Sequence, residues 1–490
     1  MKLSRREALK LGLLGAGATA LPATVLFRSL GHGAEAAPVA SPSVVRFSRP
    51  LAIPPVLAPT QSTGTTDFYR IVQRPADVQI LPGLTTRIWG YNGITPGPTI
   101  VAHQGRSAVV TQVNHLGIET TTHLHGADVA PQFDGPPLRL VEPGERFIHQ
   151  YTNVQPAATL WYHDHAHMHT GRNVYMGLAG FYLLGDATDD ALPLPKGQFD
   201  IPLAIQDRLF NADGSLFYSE TVAHQGVFGD TIIVNGVPFP FLQVARRKYR
   251  FRVLNGSNAR NYRLKLSTGD PFKVVSTESG FLAHPVDVPE ILLQPAERYS
   301  FVIDFASYPI GTQVILQNVF TPNAFGDPFD PAKVNQIMRF DVTANASDPS
   351  SVPADLAPLP VLNEADAVAT RDWHFNVMAD GRWAINGLRF DASRFDAQPT
   401  LGTVEIWRFI NPSSAWVHPI HPHLVHFLIL DRNGAPPQPY ERGPKDTVAL
   451  GPGETVRVIM RFEHFRGPFV FHCHNLEHED HEMMTQYKVV

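Results

Sequence analysis

The sequence predicts an all-β protein, and three observations lead to this prediction. Proline (43) and glycine (37) are abundant among the 490 residues, as expected of many short strands joined by tight turns. Short runs such as 107–113 show strand-like alternation between Gly/Pro turns. Convincing helical periodicity is scarce. Because ordinary domains have ~100–200 residues, the chain is expected to contain more than one domain.

The first segment, residues 1–36, has the features of an export signal. Arg5 and Arg6 precede seventeen uncharged residues, Leu11 to Phe27, and Ala34-Glu35-Ala36 provides small residues where a signal peptidase cuts. The segment resembles a twin-arginine signal, which predicts a periplasmic or secreted protein that meets the membrane only transiently. An uncleaved membrane anchor is the alternative interpretation.

The rest of the chain divides into three β-rich units and one linker. We predict the units at 37–190, 191–345 and 370–490. The second contains the alternating run 248–254 and the third the apolar strand 469–471. Residues 346–369 are rich in Ala, Pro, Ser and Asp, which predicts an interdomain linker.

Charge and cysteine content exclude several function classes. Forty basic and 45 acidic residues give a net charge of −5, which argues against nucleic acid as a partner. The single cysteine, Cys473, excludes an internal disulfide, a CxxC zinc site and an iron–sulfur cluster.

Ten of the 22 histidines fall into four motifs. Residues i and i+2 of a strand share one face, so each His-x-His pair offers two imidazoles to one place. Two motifs lie in the first unit and two in the third, which predicts a metal site shared between these units. The ten histidines are His123, His125, His163, His165, His418, His421, His423, His472, His474 and His478.

The ligand types at Cys473 indicate copper. A thiolate with two imidazoles, from His418 and His478, and a weak axial methionine is typical of a blue copper electron-transfer site. Met483 is the favoured axial residue, and Met484 is the alternative. The neighbours of Cys473, His472 and His474, would project to the opposite face and bind a second copper centre. Eight imidazoles then remain for three further coppers.

The sequence resembles the three-domain multicopper oxidases, most closely the bacterial spore-coat laccases and bilirubin oxidases. The resemblance covers nearly the whole mature chain. It is carried by Ile88-Trp89-Gly90-Tyr91-Asn92-Gly93, Asn173 to Gly180, Tyr249 to Asn255, Pro295-Ala296-Glu297-Arg298-Tyr299, His418-Pro419-Ile420-His421 and Glu477-His478-Glu479-Asp480. It implies three consecutive cupredoxin-like Greek-key β-sandwich domains, with the type 1 copper in the third.

The resemblance also implies the ligand assignment and the reaction. Type 1 copper would bind His418, Cys473, His478 and Met483, and type 2 copper His123 and His421. The type 3 pair would bind His125, His163, His165, His423, His472 and His474. Phenolic or tetrapyrrole-like substrates would give single electrons to the type 1 site of a monomer, and dioxygen would be reduced to water. Asp134 and Glu479 occupy the positions of proton-relay carboxylates.

Other readings of the sequence remain open. A metal-ion oxidase for Cu(I), Fe(II) or Mn(II) is the main alternative, although only eight methionines are present and no Met-rich insertion is seen. A non-catalytic envelope protein of the same fold is a weaker one. His167 and His169 extend the alternation of His163 and His165, but are expected to be outer contacts or surface residues.

Overall fold

The computed structural model describes residues 40–219, 225–320 and 330–490, and this part of the chain consists mainly of β-strands. Thirty strands form six sheets among the described residues. The sheets occur in three successive pairs, within 61–185, 200–345 and 367–489, and a buried apolar core lies between the sheets of each pair. The all-β prediction with three sandwiches is therefore confirmed.

The first pair contains a five-stranded and a four-stranded sheet. The larger has the order β1-β2-β5-β7, with β3 beside β2, and the smaller has the order β4-β9-β8-β6. In β5, alternate residues are buried because one face packs on the core. The strands are β1 Gln61–Ser62, β2 Thr66–Val78, β3 Thr86–Tyr91, β4 Gly97–His103, β5 Ser107–Asn114, β6 Thr122–His125, β7 Arg146–Tyr151, β8 Ala158–Asp164 and β9 Ala179–Gly185.

The second pair contains a seven-stranded and a five-stranded sheet. Their orders are β12-β11-β10-β14-β19-β16-β17 and β13-β21-β20-β15-β18. The strands are β10 Asp200–Arg208, β11 Thr231–Val234, β12 Val237–Pro238, β13 Phe241–Arg246, β14 Lys248–Asn255, β15 Tyr262–Leu266, β16 Phe272–Thr277, β17 Gly280–Val288, β18 Ile291–Leu293, β19 Arg298–Asp304, β20 Gln313–Asn318 and β21 Gln336–Asn345.

In β14 the two arginines of the alternating run are buried as well as the apolar residues, and Lys248 is half-buried. Arg250 donates to Asp189 at 2.8 Å and Arg252 donates to Asp200 at 2.9 Å. These ion pairs let a strand with alternating arginines lie at the centre of a sheet covered on both faces.

The third pair contains a five-stranded and a four-stranded sheet, with orders β23-β22-β24-β28-β26 and β27-β25-β29-β30. β22 begins at Ala367, inside the predicted linker. The strands are β22 Ala367–Val377, β23 Trp383–Ile385, β24 Val404–Ile410, β25 His418–Pro422, β26 Phe427–Arg432, β27 Val448–Leu450, β28 Thr455–Arg461, β29 Gly467–Cys473 and β30 Met484–Val489.

Helices in the described residues are short. The α-helices are α1 Thr170–Tyr175, α2 Ala187–Ala191, α3 Pro331–Val334 and α4 Leu476–Asp480, and 3₁₀ turns span Pro131–Phe133, Gly197–Phe199, Phe305–Ser307, Glu364–Asp366 and Pro439–Glu441. None of the described helices has the length and apolar character needed to cross a membrane. The predicted signal at 1–36 lies outside the described residues.

A small apolar cluster joins all three sandwiches. It includes Trp161 of β8, Leu254 of β14 and Leu476 of α4. All three side chains are almost completely buried. The contact brings the histidine motifs of the first and third sandwiches to one interface.

Candidate metal centre

Two adjacent strands, β25 and β29, separate the chemical groups into two sites. They are antiparallel, with Ile420 opposite Cys473 and His421 opposite His472. Directly opposite residues point to the same face of a sheet, and successive residues point to opposite faces. His421 and His472 therefore share one face, and the thiol of Cys473 lies on the other.

The first site, here called the thiolate site, consists of Cys473, His418 and His478. The Sγ atom of Cys473 lies 3.5 Å from Nδ1 of His418 and 3.7 Å from Nδ1 of His478. The two Nδ1 atoms are 3.2 Å apart, and all three side chains are completely buried. Burial raises the pKa of the Cys473 thiol and lowers the pKa of His418 to about 3.

The loop and helix after β29 position His478. The side-chain oxygen of Asn475 accepts hydrogen bonds from the backbone N–H groups of Glu477 and His478, and so caps α4 at its first turn. The Trp383 ring lies over the His478 imidazole, with centroids 3.7 Å apart and planes inclined at 31°. The thiolate site is thereby held in an apolar, water-poor environment.

The packing of the two methionines distinguishes them. Met483 is fully buried in the apolar core that contains Cys473, and the Met483 backbone N–H donates to the carbonyl of His478. Met484 is the first residue of β30 and lies directly opposite His472. Its side chain therefore shares the face of His472, away from the thiol. This arrangement favours Met483 as the neighbour of the thiolate site.

The second site, here called the histidine cluster, contains eight imidazoles from the first and third sandwiches. Nε2 of His423 lies 3.2 Å from Nε2 of His165 and 3.1 Å from Nε2 of His472. Nε2 of His123 lies 3.5 Å from Nε2 of His421. The remaining three rings have centroids 4.9–5.7 Å apart. They belong to His125, His163 and His474.

The histidine cluster is suited to bind metal ions. Burial and neighbouring imidazoles hold the pKa values of His125, His163, His421 and His423 well below their usual range, so these rings are neutral lone-pair donors. Within the described residues, several buried ring nitrogens have no hydrogen-bond partner: His125 Nδ1, His163 Nε2 and both nitrogens of His474. Buried polar atoms without partners are costly, and metal ions would satisfy them.

Asp134 and Glu479 both contact the outer nitrogens of these imidazoles. An Asp134 carboxylate oxygen accepts a hydrogen bond of 2.7 Å from His423 Nδ1. The two oxygens of Glu479 each lie 3.1 Å from a ring nitrogen, of His165 and of His472. Burial raises the pKa of Asp134. It would do the same for Glu479, but the two imidazoles outweigh it and hold the pKa of Glu479 well below its usual range.

Sequence reasoning missed a third acidic residue, Asp446. Its Oδ1 atom lies 3.2 Å from Nε2 of His125, and its backbone carbonyl accepts a 2.7 Å hydrogen bond from Nδ1 of His421. No local pattern in the sequence marks this residue, because it lies outside the histidine motifs in a loop before β27. The role of Asp446 becomes visible only in the folded structure, where the packed sandwiches bring it to His125.

The other histidines near the motifs make contacts outside both sites. The half-buried ring of His167 lies 5.2 Å from the ring of Phe390, and His169 is exposed. His426 Nε2 donates to the carbonyl of Gly126 at 2.9 Å, and His481 Nδ1 donates to the carbonyl of Glu477 at 2.6 Å. His464 pairs with Asp128. In the described residues, the groups spaced closely enough to hold a metal include none of these.

The fold and the two sites define a class. A buried cysteine with two imidazoles and a neighbouring methionine, next to eight converging imidazoles, is the donor set of a copper-dependent redox protein. Comparison with known families agrees. Family models described as multicopper oxidase match residues 73–189, 176–338 and 357–490. The chain belongs to the multicopper oxidase family, and it is an oxidoreductase that uses oxygen.

Individual relatives cover nearly the whole chain. A bilirubin oxidase from Albifimbria verrucaria is 38% identical over 93% of this chain and 83% of its own length. A laccase from Bacillus subtilis (strain 168) is 35% identical over 90% of this chain and 97% of its own. The crystal structure of a laccase from Pediococcus acidilactici has a TM-score of 0.84 and 33% identity, covering 92% of this chain and 95% of that one. The resemblance inferred from the sequence is confirmed.

Proposed function

We propose that this protein is a laccase-like oxidase that takes single electrons from phenols or related aromatic molecules and reduces dioxygen to water. The observation that carries the proposal is the convergence of ten histidines and Cys473 on two buried sites that share β25 and β29. Relatives described as laccase and bilirubin oxidase support this substrate class.

Within this proposal, four copper ions would occupy the two sites. His418, Cys473, His478 and Met483 would hold the type 1 ion, and His123 and His421 would hold the type 2 ion. The geometry supports two type 3 triads: His165, His423 and His472 in one, and His125, His163 and His474 in the other. When bound, the copper ions supply one-electron transfer and the reduction of dioxygen.

The protein supplies a direct covalent connection between the two sites. Cys473 belongs to the thiolate site, while its neighbours His472 and His474 belong to the histidine cluster. No other side chain needs to bridge the sites, because one strand presents its successive residues to both.

Two tryptophans define the approach to the thiolate site. Trp383 covers His478, and half-buried Trp416 packs edge-on against Trp383 with centroids 5.2 Å apart. Since His478 itself is fully buried, an aromatic reductant would stack on the exposed part of Trp416 and donate electrons through the paired rings.

Asp134 and Glu479 are the proposed proton carriers. Each hydrogen-bonds or closely approaches imidazoles of the histidine cluster. A cavity of ≈ 180 Å³, lined by Asp134, Phe390 and Phe469 among others, leads to the Asp134 side. A carboxylate in this position can receive a proton from water in the cavity and hold it beside the reducing site.

The decisive experiment is copper loading of the purified protein, followed by metal analysis, a visible spectrum and oxygen uptake. We expect about four copper ions per chain, an intense thiolate-to-copper absorption and oxygen uptake with phenols or bilirubin. Cys473→Ser should abolish the colour and remove about one copper while the cluster stays loaded. Fewer than three coppers at full loading would contradict the assignment.

A panel of reductants separates this function from the metal-ion alternative. Phenol and bilirubin are tested beside Cu(I), Fe(II) and Mn(II) at equal concentrations. Higher kcat/KM for the organic reductants is expected, because two tryptophans lie over the thiolate site. Clear preference for a metal ion would make the alternative the better description.

We also propose export and a monomeric state. The twin-arginine segment at 1–36 is consistent with transport of an already folded, copper-loaded protein. Replacing Arg5 and Arg6 by Lys should retain the protein in the cytoplasm, and N-terminal sequencing of exported protein should begin after Ala36.

The proposed monomeric state is tested by sedimentation at several protein concentrations, which should give the mass of a single chain throughout.

A further inference from the structure

Arg298 connects the middle sandwich to both of the others. It is the first residue of β19, and its guanidinium is fully buried. Nε donates to the carbonyl of Thr159 in β8 at 2.8 Å, and Nη1 donates to the carbonyl of Ala296 at 3.0 Å. Nη1 and Nη2 also donate to the two carboxylate oxygens of Asp446 at 2.7 and 2.6 Å. One side chain thus binds all three sandwiches.

Asp446 extends this contact to the histidine cluster. Its carboxylate lies 3.2 Å from Nε2 of His125, and its carbonyl accepts from Nδ1 of His421. The rings of His125 and His421 stack with centroids 3.7 Å apart and planes inclined at 13°. Ser279 of the middle sandwich donates to the same carboxylate at 3.0 Å. Thr447 Oγ1 also lies 3.0 Å from Nε2 of His125 and donates to the Asp446 carboxylate at 2.9 Å. Asp446 therefore contacts one imidazole of the first sandwich through its carboxylate and one of the third through its backbone carbonyl.

The glycine after the first His-x-His pair leaves room for this ion pair. Gly126 has φ +81°, and a Cβ atom there would lie 2.3 Å from Asp446 Oδ2 and 2.7 Å from Arg298 Nη2. Both the backbone angle and the contact exclude a side chain at this position. The sequence next to His125 is thus adapted to the buried ion pair.

We propose that Arg298 is a positioning residue through which the middle sandwich, which supplies no ligand in the assignment above, sets the geometry of the histidine cluster. This inference rests on the proposed function. Arg298 acts through Asp446, which holds the outer nitrogens of His125 and His421 and so directs their inner nitrogens toward the metal. Lysine cannot replace Arg298, because an ammonium group cannot bind both carboxylate oxygens of Asp446 in one plane and also reach the carbonyl of Thr159.

The test compares copper-loaded full-length variants Arg298→Lys and Asp446→Asn with the parent protein. Both should weaken copper binding at the histidine cluster about 10- to 100-fold in a chelator titration, the usual effect of removing an outer contact to a ligand. The thiolate-to-copper absorption should remain, because no contact of Arg298 reaches the thiolate site. The paramagnetic resonance signal of the type 2 copper should change.

Arg250→Lys is the matched control. Arg250 is similarly buried and ion-paired in the same sandwich, but it binds Asp189 away from both sites. It should retain full copper loading. Asp446→Asn keeps the test valid if Arg298→Lys fails to fold.

Two results would overturn the inference. One is parental copper affinity and resonance signal in both variants. The other is equal loss of copper from both sites in step with a lower Tm, which would indicate general destabilisation. A parent protein that binds fewer than three coppers at full loading would instead refute the proposed function.

Discussion

The carboxylate of Asp134 in the first sandwich accepts a 2.7 Å hydrogen bond from Nδ1 of His423 in the third. This bond places the ring proton on Nδ1 and leaves Nε2 directed at the Nε2 atoms of His165 and His472. A single contact across the interface thus selects the tautomer that a metal-binding imidazole requires.

Asp134→Asn should reduce oxygen turnover about 10- to 100-fold, because the amide is a weaker acceptor for His423 and cannot hold a proton for transfer. Reduction of the type 1 site by substrate should stay fast, which stopped-flow bleaching of the blue colour would measure. Asp77→Asn, at an exposed ion pair, is the control. Full oxygen turnover in Asp134→Asn would contradict the relay role.

Met483→Leu should raise the type 1 reduction potential, since loss of a weak axial thioether destabilises the oxidised site. Met484→Leu is a closely matched control, because that methionine is equally buried but faces the side of His472. Redox titration of the blue absorption measures the reduction potential of both variants. If Met484→Leu alone shifts the potential, the axial assignment moves to Met484.

Trp416→Ala should lower kcat/KM for bulky aromatic reductants about two- to twelvefold, the equivalent of ~0.5–1.5 kcal/mol of aromatic contact. Trp416→Phe should recover most of the loss, because it restores a ring against Trp383. Steady-state kinetics with a series of phenols of increasing size provide the measurement. A uniform effect on every reductant, irrespective of size, would argue against stacking.

Copper removal should make stability strongly pH-dependent. Burial lowers the pKa values of His418 and His474, one from each site, to about 3, whereas an unfolded histidine titrates near 6.5. Below pH ~6.5 the unfolded metal-free chain binds more protons than the folded chain, so stability falls as pH decreases toward about 3 and is unaffected by these groups above ~6.5.

Denaturant unfolding of the loaded and metal-free proteins between pH 8 and pH 4 measures this effect. The loaded protein should lose less stability over the range, because ligated imidazoles resist protonation and bound copper favours the folded state. Parallel curves for the two forms would show that the ligand histidines of the two sites do not contribute.

Local patterns were sufficient to predict an all-β chain, three of its strands and the histidine pairs. Period-two alternation identified β5 and β14, and the two-residue spacing of His123 and His125 correctly predicted that they share a face. Contacts between residues far apart in the sequence produce no local pattern from which they could be predicted. His125 and Asp446 are 321 positions apart, and their contact depends on how three sandwiches pack.

The same limit applies to Arg298 and Trp383. Arg298 occurs in a loop-to-strand segment where arginine is ordinarily a surface residue, and only the structure shows that it is buried against Asp446. From the sequence alone, Trp383 is simply a core tryptophan. Its position over His478 is visible only in the structure, where β23 and α4 bring the two rings together.

The pairing of Ile420 with Cys473 limits which changes in chain length the protein can tolerate. Inserting or deleting one residue within 467–473 would turn the thiol toward the imidazoles that the other strands supply and turn His472 into the apolar core. Both sites would be lost together, although every ligand would still be present in the sequence. Changes in chain length should therefore be tolerated only in segments outside β25 and β29.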